Sequence, residues 1–171
     1  MDFVLSKEHE MLRTLYKEFA ENEIKPLAQE LDEEERFPVE TVEKLHKYGF
    51  LGIPFPKEYG GQGCVVVSGH TSLGASPILK FGTPEQIEKY FVPLAKGDKL
   101  GAFALTEPNA GTDASMQQTK AVLEGDHYVL NGSKIFITNA GYADTYIIIA
   151  MTDKSKGTRG ISAFIVEKDF P

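Results

Sequence analysis

The sequence predicts a multi-domain α and β chain in which helices come first and strands second. Three observations lead there. Apolar residues recur at helical spacing as far as residue 96, they alternate from residue 100 onward, and a Gly- and Pro-rich stretch over 50–63 interrupts the helical half. The change of period falls near Lys99, so the boundary is drawn between a helical region, 1–99, and a β region, 100–171. Segregated order of this kind fits either separate domains or an α+β arrangement.

Ser6 is the expected N-cap of the first helix, whose face carries Met11, Leu12, Leu15 and Phe19. A weaker continuation runs past Pro26 through Leu27 and Leu31. Pro38 opens a second helix with Val39, Val42 and Leu45 on one side, and Gly49 ends it. Thr83-Pro84-Glu85-Gln86 reads as a capping box with proline at the first helical position. Ile87, Tyr90, Phe91 and Leu94 supply the buried face of that helix, and Gly97 stops it. Strands are expected over 100–105, 119–123, 146–151 and 161–166. Asn131-Gly132 between the alternating runs 127–130 and 134–138 predicts a type I′ hairpin.

The 171 residues, 42% hydrophobic and 25% charged, are enough to build a core. A net charge of −7 without a dense Lys/Arg cluster argues against nucleic acid as a partner. No apolar run is long enough to span a bilayer, and the first residues resemble no targeting segment, so a cytoplasmic location is expected. Cys64 is the only cysteine, which excludes an intrachain disulfide. His9, His46, His70 and His127 are dispersed without metal-ligand spacing, and residues 32–35 (DEEE) read as a solvated helix end.

Chemistry is concentrated in ALTEPNAGTDASM, residues 104–116, a tight turn region directly after a strand. Gly111 is free to take positive φ, while Asn109 and Asp113 favour turns through side-chain bonds to backbone. The hydroxyls of Thr106 and Thr112, with exposed N–H groups, offer donors to a carbonyl-rich ring or a phosphate. Glu107 and Asp113 read as acceptors that orient the loop through backbone N–H groups. A second segment, NGSKIFITNAG over 131–141, places Phe136 and Ile137 on what the pattern alone makes a hairpin core.

Together TEPNAGTD and KIFITN resemble the two flavin-contacting loops of the acyl-CoA dehydrogenase family. The turn Tyr59-Gly60-Gly61-Gln62-Gly63, the run PILKFGTPEQ and the segment PLAKGDKLGAFALTEP extend the match over nearly the whole chain. TDKSKG and GISAFIVEKD look most like short-chain, butyryl-CoA-type members from anaerobic bacteria. The resemblance implies a helical N-terminal domain followed by an antiparallel, barrel-like β domain. It also implies FAD as cofactor, a short-chain acyl-CoA as substrate, electron-transfer flavoprotein as acceptor and a homotetrameric parent. The reaction implied is α,β-dehydrogenation to the trans-2-enoyl-CoA.

Carried over by motif, Phe103, Leu105 and Thr106 would line the isoalloxazine, with donors from Leu105 and Thr106 to its pyrimidine end. Gly111 and Thr112 fall in the loop at the cofactor's phosphate region, where Thr112 would also touch the acyl-CoA. Phe136 would pack on the ring beside Ile137, and Thr138 would bond near N5, where hydride arrives.

The chain also departs from the family pattern. It stops at Pro171, part-way through the β domain, and lacks the helical bundle that carries the family's catalytic glutamate. The join between Gly63 and His70 is short by a helix, and Met116 stands where a small residue is usual. No catalytic base is therefore expected in this chain, and by itself it should be inactive as a dehydrogenase. Readings that keep part of the resemblance are an acyl-CoA oxidase, a flavin monooxygenase relative, or a non-catalytic flavin- or CoA-binding remnant.

Overall fold

The computed structural model of the protein describes residues 5–60 and 69–171. Cys64, three residues of the glycine-rich turn (Gly61, Gln62 and Gly63) and most of the shortened join lie outside the described residues. By packing, the chain divides into two units, Met1–Tyr48 and Gly49–Pro171.

The first unit is helical: α1 (Lys7–Phe19), α2 (Lys25–Glu33) and α3 (Val39–Lys47). The Ser6 hydroxyl accepts from the His9 amide at 3.3 Å, and the acidic Glu8 and Glu10 sit in the first turn, where the helix dipole favours them. Of the predicted α1 face only Phe19 is buried, with its ring edge-on to Tyr48 at 5.2 Å, while Met11 is 67% exposed. Arg36 bridges Glu30, Glu34 and Glu40 and so ties the α2–α3 turn together. Gly49 has φ +70, the left-handed conformation that ends α3.

The second unit begins with short 3-10 turns and continues through α4 (Ser76–Phe81), α5 (Pro84–Gln86) and α6 (Val92–Lys96). Thr83 and Gln86 form the predicted reciprocal capping box, and Gly97, at φ +83, closes α6. A π-helical segment precedes three of the four proline-bearing helices: Ala20–Ile24 before Pro26, Gly69–Ala75 before Pro77 and Ile87–Phe91 before Pro93. A proline ring crowds the preceding turn and donates no hydrogen bond, and a π-turn widens the helix at that point.

The strands are β1 (Gly101–Ala104), β2 (Lys120–Glu124), β3 (His127–Asn131), β4 (Thr145–Met151) and β5 (Ile161–Glu167). They form one sheet in the order β1-β4-β2-β3, with β5 on the other side of β4. The sheet is mixed where an antiparallel one is expected: β4 pairs parallel with β1 and with the start of β2. The reason lies in connectivity. Residues 105–144 separate β1 from β4, ample length for a crossover, whereas the antiparallel pairs β2–β3 and β4–β5 have short links. Tyr128 on edge strand β3 meets Phe164 on β5 at 5.1 Å, so the sheet curls until its two flanks touch. A cleft of about 720 Å³ opens there, lined by both strands with Phe170 and Pro171.

The hairpin is displaced from its predicted position. Glu124 pairs with His127, so the two-residue turn is Gly125-Asp126, with Gly125 at φ +66. Asn131 instead extends the ladder opposite Lys120, and 134–138 is not a strand. Gly132 is needed for close approach: a Cβ there would stand 2.6 Å from the Thr119 Cα.

The core of the second unit joins helices to sheet. Phe91, Leu94 and Ile78 are fully buried with Ile147, and Phe55 and Tyr59 meet Phe91 edge-on at 4.9 and 5.3 Å. Across the sheet Phe103, Ile147 and Ile165 lie in register on the face that packs against these helices. Ile147→Ala should therefore destabilise the chain by about 2–5 kcal/mol, read as the shift in urea unfolding midpoint.

Buried His70 links helix to sheet. Its Nδ1 accepts from the Gly101 amide at 2.9 Å, and its Nε2 faces the Leu94 carbonyl at 3.3 Å, which fixes the neutral Nε2–H tautomer. Burial pushes its pKa down, against the smaller upward pull of the Leu94 carbonyl. A depressed folded pKa means the contribution is complete above the unfolded value of about 6.5 and is lost as pH falls toward the folded value. Urea midpoints should thus decline below about pH 6.5, and the decline should be shallower in His70→Asn.

Candidate functional site

The end of β1 delivers the chain into a tight turn. Glu107 N–H donates to the Ala110 carbonyl, and Ala110 N–H donates back to Glu107, both at 3.1 Å. Pro108 and Asn109 form the tip of this turn, matching the prediction. Asp113 accepts from the Ser115 amide at 3.0 Å, starting the 3-10 turn Ala114–Met116. Met116 is exposed there. Gly111, though free to take positive φ, does not adopt it; a Cβ at this position would meet nothing within 4 Å, so the backbone is simply open on that side.

Glu107 is buried beneath the turn. One carboxylate oxygen accepts from the Gln118 amide at 2.6 Å, and the other accepts from the Thr119 amide at 3.0 Å. This is the loop-orienting role expected of it. The partner that sequence reasoning missed is Lys134, whose ammonium lies 2.8 Å from Glu107 Oε1, 2.9 Å from the Leu105 carbonyl and 3.3 Å from Gln117 Oε1. Both side chains are buried, at 9% and 5% exposure. The available signal was a lysine standing directly before the apolar run Ile135-Phe136-Ile137. Burial pushes the Glu107 carboxyl up, but the Gln118 amide, Lys134 and Thr119 outweigh it and bring it down to about 2.

The second segment is drawn against the first. Ile135 N–H donates to the Thr106 carbonyl at 2.9 Å, alongside the Lys134 contacts. Phe136 then takes φ +56 and Asn139 φ +70, left-handed conformations that break the expected strand. Asn139 holds its turn by donating to the Gly101 carbonyl at 3.0 Å. Phe136 is 89% exposed, so it is not the core residue that the pattern alone makes it. Its bulky side chain is thus held out in water on a left-handed backbone, a conformation that is strained for a residue of this size.

Leu105, Thr106 and the segment 134–138 thus stand together. Phe103 lies in β1, half-buried against the helix-facing core. Ile137 is half-buried, and Thr112 and Thr138 are exposed. A cleft of about 620 Å³ beside the turn is lined by Glu107, Asn109, Thr119, Asn131 and Ser133, and by none of the residues assigned to the flavin. Of those residues Gly111, Thr112, Phe136 and Thr138 are exposed, and Phe103, Leu105, Thr106 and Ile137 are half-buried. Among the described residues there is no cluster of three or more His, Cys, Asp or Glu able to hold a metal, and no helix long and apolar enough to cross a membrane.

This arrangement, a helical region feeding a curled mixed sheet with two loops clamped at its strand end, defines the class. The acyl-CoA dehydrogenase N-terminal domain matches residues 6–69 and 63–98, and the acyl-CoA dehydrogenase middle domain matches residues 102–171. The chain belongs to the acyl-CoA dehydrogenase family. The two N-terminal matches meet at the short join after Gly63.

The chain is 60% identical over 190 aligned positions to "Acyl-CoA dehydrogenase, short-chain specific" of Clostridium acetobutylicum, covering 99% of this chain and 50% of that protein. The butyryl-CoA dehydrogenase structure from Megasphaera elsdenii superposes with TM-score 0.92 at 45% identity, over 100% of this chain and 51% of that one. A chain from a structure of the electron transferring flavoprotein of Acidaminococcus fermentans superposes at 0.94 with 48% identity, over 100% and 50%. The chain spans about half the length of the curated relatives it matches.

Because Glu107 titrates near 2 when folded and near 4.5 otherwise, its contribution is intact above about pH 4.5 and lost as pH falls toward 2. Guanidinium unfolding between about pH 5 and about pH 3 should show this loss, with a smaller slope in Glu107→Gln.

Proposed function

We propose that this chain forms the N-terminal and middle portion of a short-chain acyl-CoA dehydrogenase and contributes one face of its FAD site. The observation that carries the proposal is Phe136, exposed and left-handed, on a segment bonded directly to the Thr106 turn. A planar ring system needs such a pair of edges: hydroxyls and N–H groups at one border and an aromatic surface to pack on. The residues fit the group, since Thr106 and Thr138 carry hydroxyls on the two joined segments and Gly111 leaves backbone accessible beside Thr112.

Bound FAD would supply hydride acceptance in the dehydrogenation of a short-chain acyl-CoA. The chain's own part is to orient the ring. Phe103, Leu105 and Thr106 would line it from β1 and the turn. Leu105 and Thr106 would donate to its pyrimidine end, and Phe136 and Ile137 would pack against it. Thr138 would bond near N5, and Gly111 and Thr112 would take the phosphate region, with Thr112 also meeting the acyl-CoA.

Glu107 is not assigned as the base, because it is committed to Lys134 and two amides. Electron-transfer flavoprotein as acceptor, a homotetrameric parent and a bacterial cytoplasmic setting complete the reading; the acceptor is supported by the likeness to the flavoprotein structure. The assignment of 1–99 and 100–171 as two domains is supported by family matches that end at 98 and resume at 102.

The test is the visible absorption spectrum of the chain after incubation with FAD and gel filtration. A retained, structured flavin band is expected, and free FAD separating completely would overturn the proposal for this chain. Phe136→Gly sharpens it. Relief of the left-handed strain should leave stability unchanged or raise it by up to about 1 kcal/mol, while FAD affinity drops by about three- to tenfold. Parallel loss of both would point to a packing role instead.

A further inference from the structure

Breaking one partner of a buried ion pair is destructive, but replacing both partners with apolar groups is often neutral or stabilising. A buried pair is therefore weak evidence of stabilisation, and the Glu107–Lys134 geometry suggests another use. The ammonium has three donors, and each has an acceptor from a different place: the strand end (Leu105), the turn (Glu107) and the segment after the 3-10 turn (Gln117). The carboxylate in turn gathers the amides of Gln118 and Thr119. Such a set fixes a point in space, which an apolar pair of equal volume does not. Lys134 stands two residues before Phe136, and Glu107 one residue after Thr106.

We propose that Glu107 and Lys134 are positioning residues that set the spacing between the two cofactor-contacting segments. The inference rests on the flavin reading above. The pair touches neither ring nor substrate. It acts through Thr106 and Phe136, whose separation it holds, and the single backbone bond from Ile135 to Thr106 does not specify that separation alone. If the pair served only to fill the interior, its apolar replacement would bind FAD as the wild type does.

Two variants of the full chain separate these roles. Glu107→Leu/Lys134→Met removes both charges together. Lys134→Arg keeps the charge but replaces a compact ammonium with a planar fork that cannot meet the same three acceptors. FAD dissociation constants are measured by flavin fluorescence at a temperature where circular dichroism shows the folded state, and amide exchange is followed at Gln118, Thr119 and Ile135. The expected result is folded protein in at least one variant, faster exchange at Gln118 and Thr119 in Lys134→Arg, and FAD affinity weakened by about tenfold or more.

Unchanged affinity in a folded variant overturns the proposal, as does unchanged exchange in Lys134→Arg. Failure of both variants to fold also overturns it, in favour of a purely structural pair. A wild-type chain that binds no FAD identifies the flavin reading as the fault, and the positioning role falls with it.

Discussion

Strand β4 is the element on which the second unit depends. It pairs with β5 along its whole length on one side, and with β1 and the start of β2 on the other. Its register places Ile147 between Phe103 and Ile165, against the helices that carry Phe91 and Leu94. A slip of one residue would turn Ile147 and Ile149 away from that face and bring Ile148 onto it. The register is pinned at its start: Leu100 N–H donates to the Asp144 side chain at 3.0 Å, and Asp144 N–H donates to the Leu100 carbonyl at 2.8 Å. Lys168 adds a second contact to the Asp144 carboxylate at 3.0 Å. The strand end from which Leu105 and Thr106 emerge is thus located by a lock at the opposite end of β1.

Local features were legible in the sequence because their causes are local. The Thr83–Gln86 capping box, the Ser6 cap and the left-handed glycines at 49 and 97 each involve residues within one turn of each other. The continuous apolar run of β4 also read correctly as a strand, since a central strand is covered on both faces. The hairpin did not, because Asn131-Gly132 and Gly125-Asp126 are both acceptable turn dipeptides. What decides between them is the approach of Thr119 to Gly132, a contact that no local pattern carries. The parallel pairing of β1 with β4 was hidden for the same reason.

The candidate site divides along the same line. The turn at Glu107 and the two segments were visible as motifs, and Glu107 as an acceptor of backbone amides followed from its place in a turn. Lys134 was not visible as its partner, because 27 residues separate the two and only the fold brings them within 2.8 Å. Phe136 shows the opposite limit. Its side chain alternates correctly for a strand, yet a left-handed backbone turns it outward, and alternation cannot register a single reversed residue.

The π-segments have a further consequence for the helices they interrupt. An α-helix advances about 100° per residue, so a π-turn, which carries one residue more than the α-turn it replaces, resets the azimuth of everything after it. Straightening Ala20–Ile24 into a regular α-helix with every residue kept would rotate Leu27 and Leu31, now half-buried, by about a quarter turn around the axis, whereas deleting one residue would leave a regular helix with both near their present azimuth. The prolines at 26, 77 and 93 stand just beyond these three insertions, where a regular α-turn would have to accept their rings. Helix length in this chain is therefore not freely adjustable: at each joint the count of residues, and not only their hydrophobicity, determines which side chains face inward.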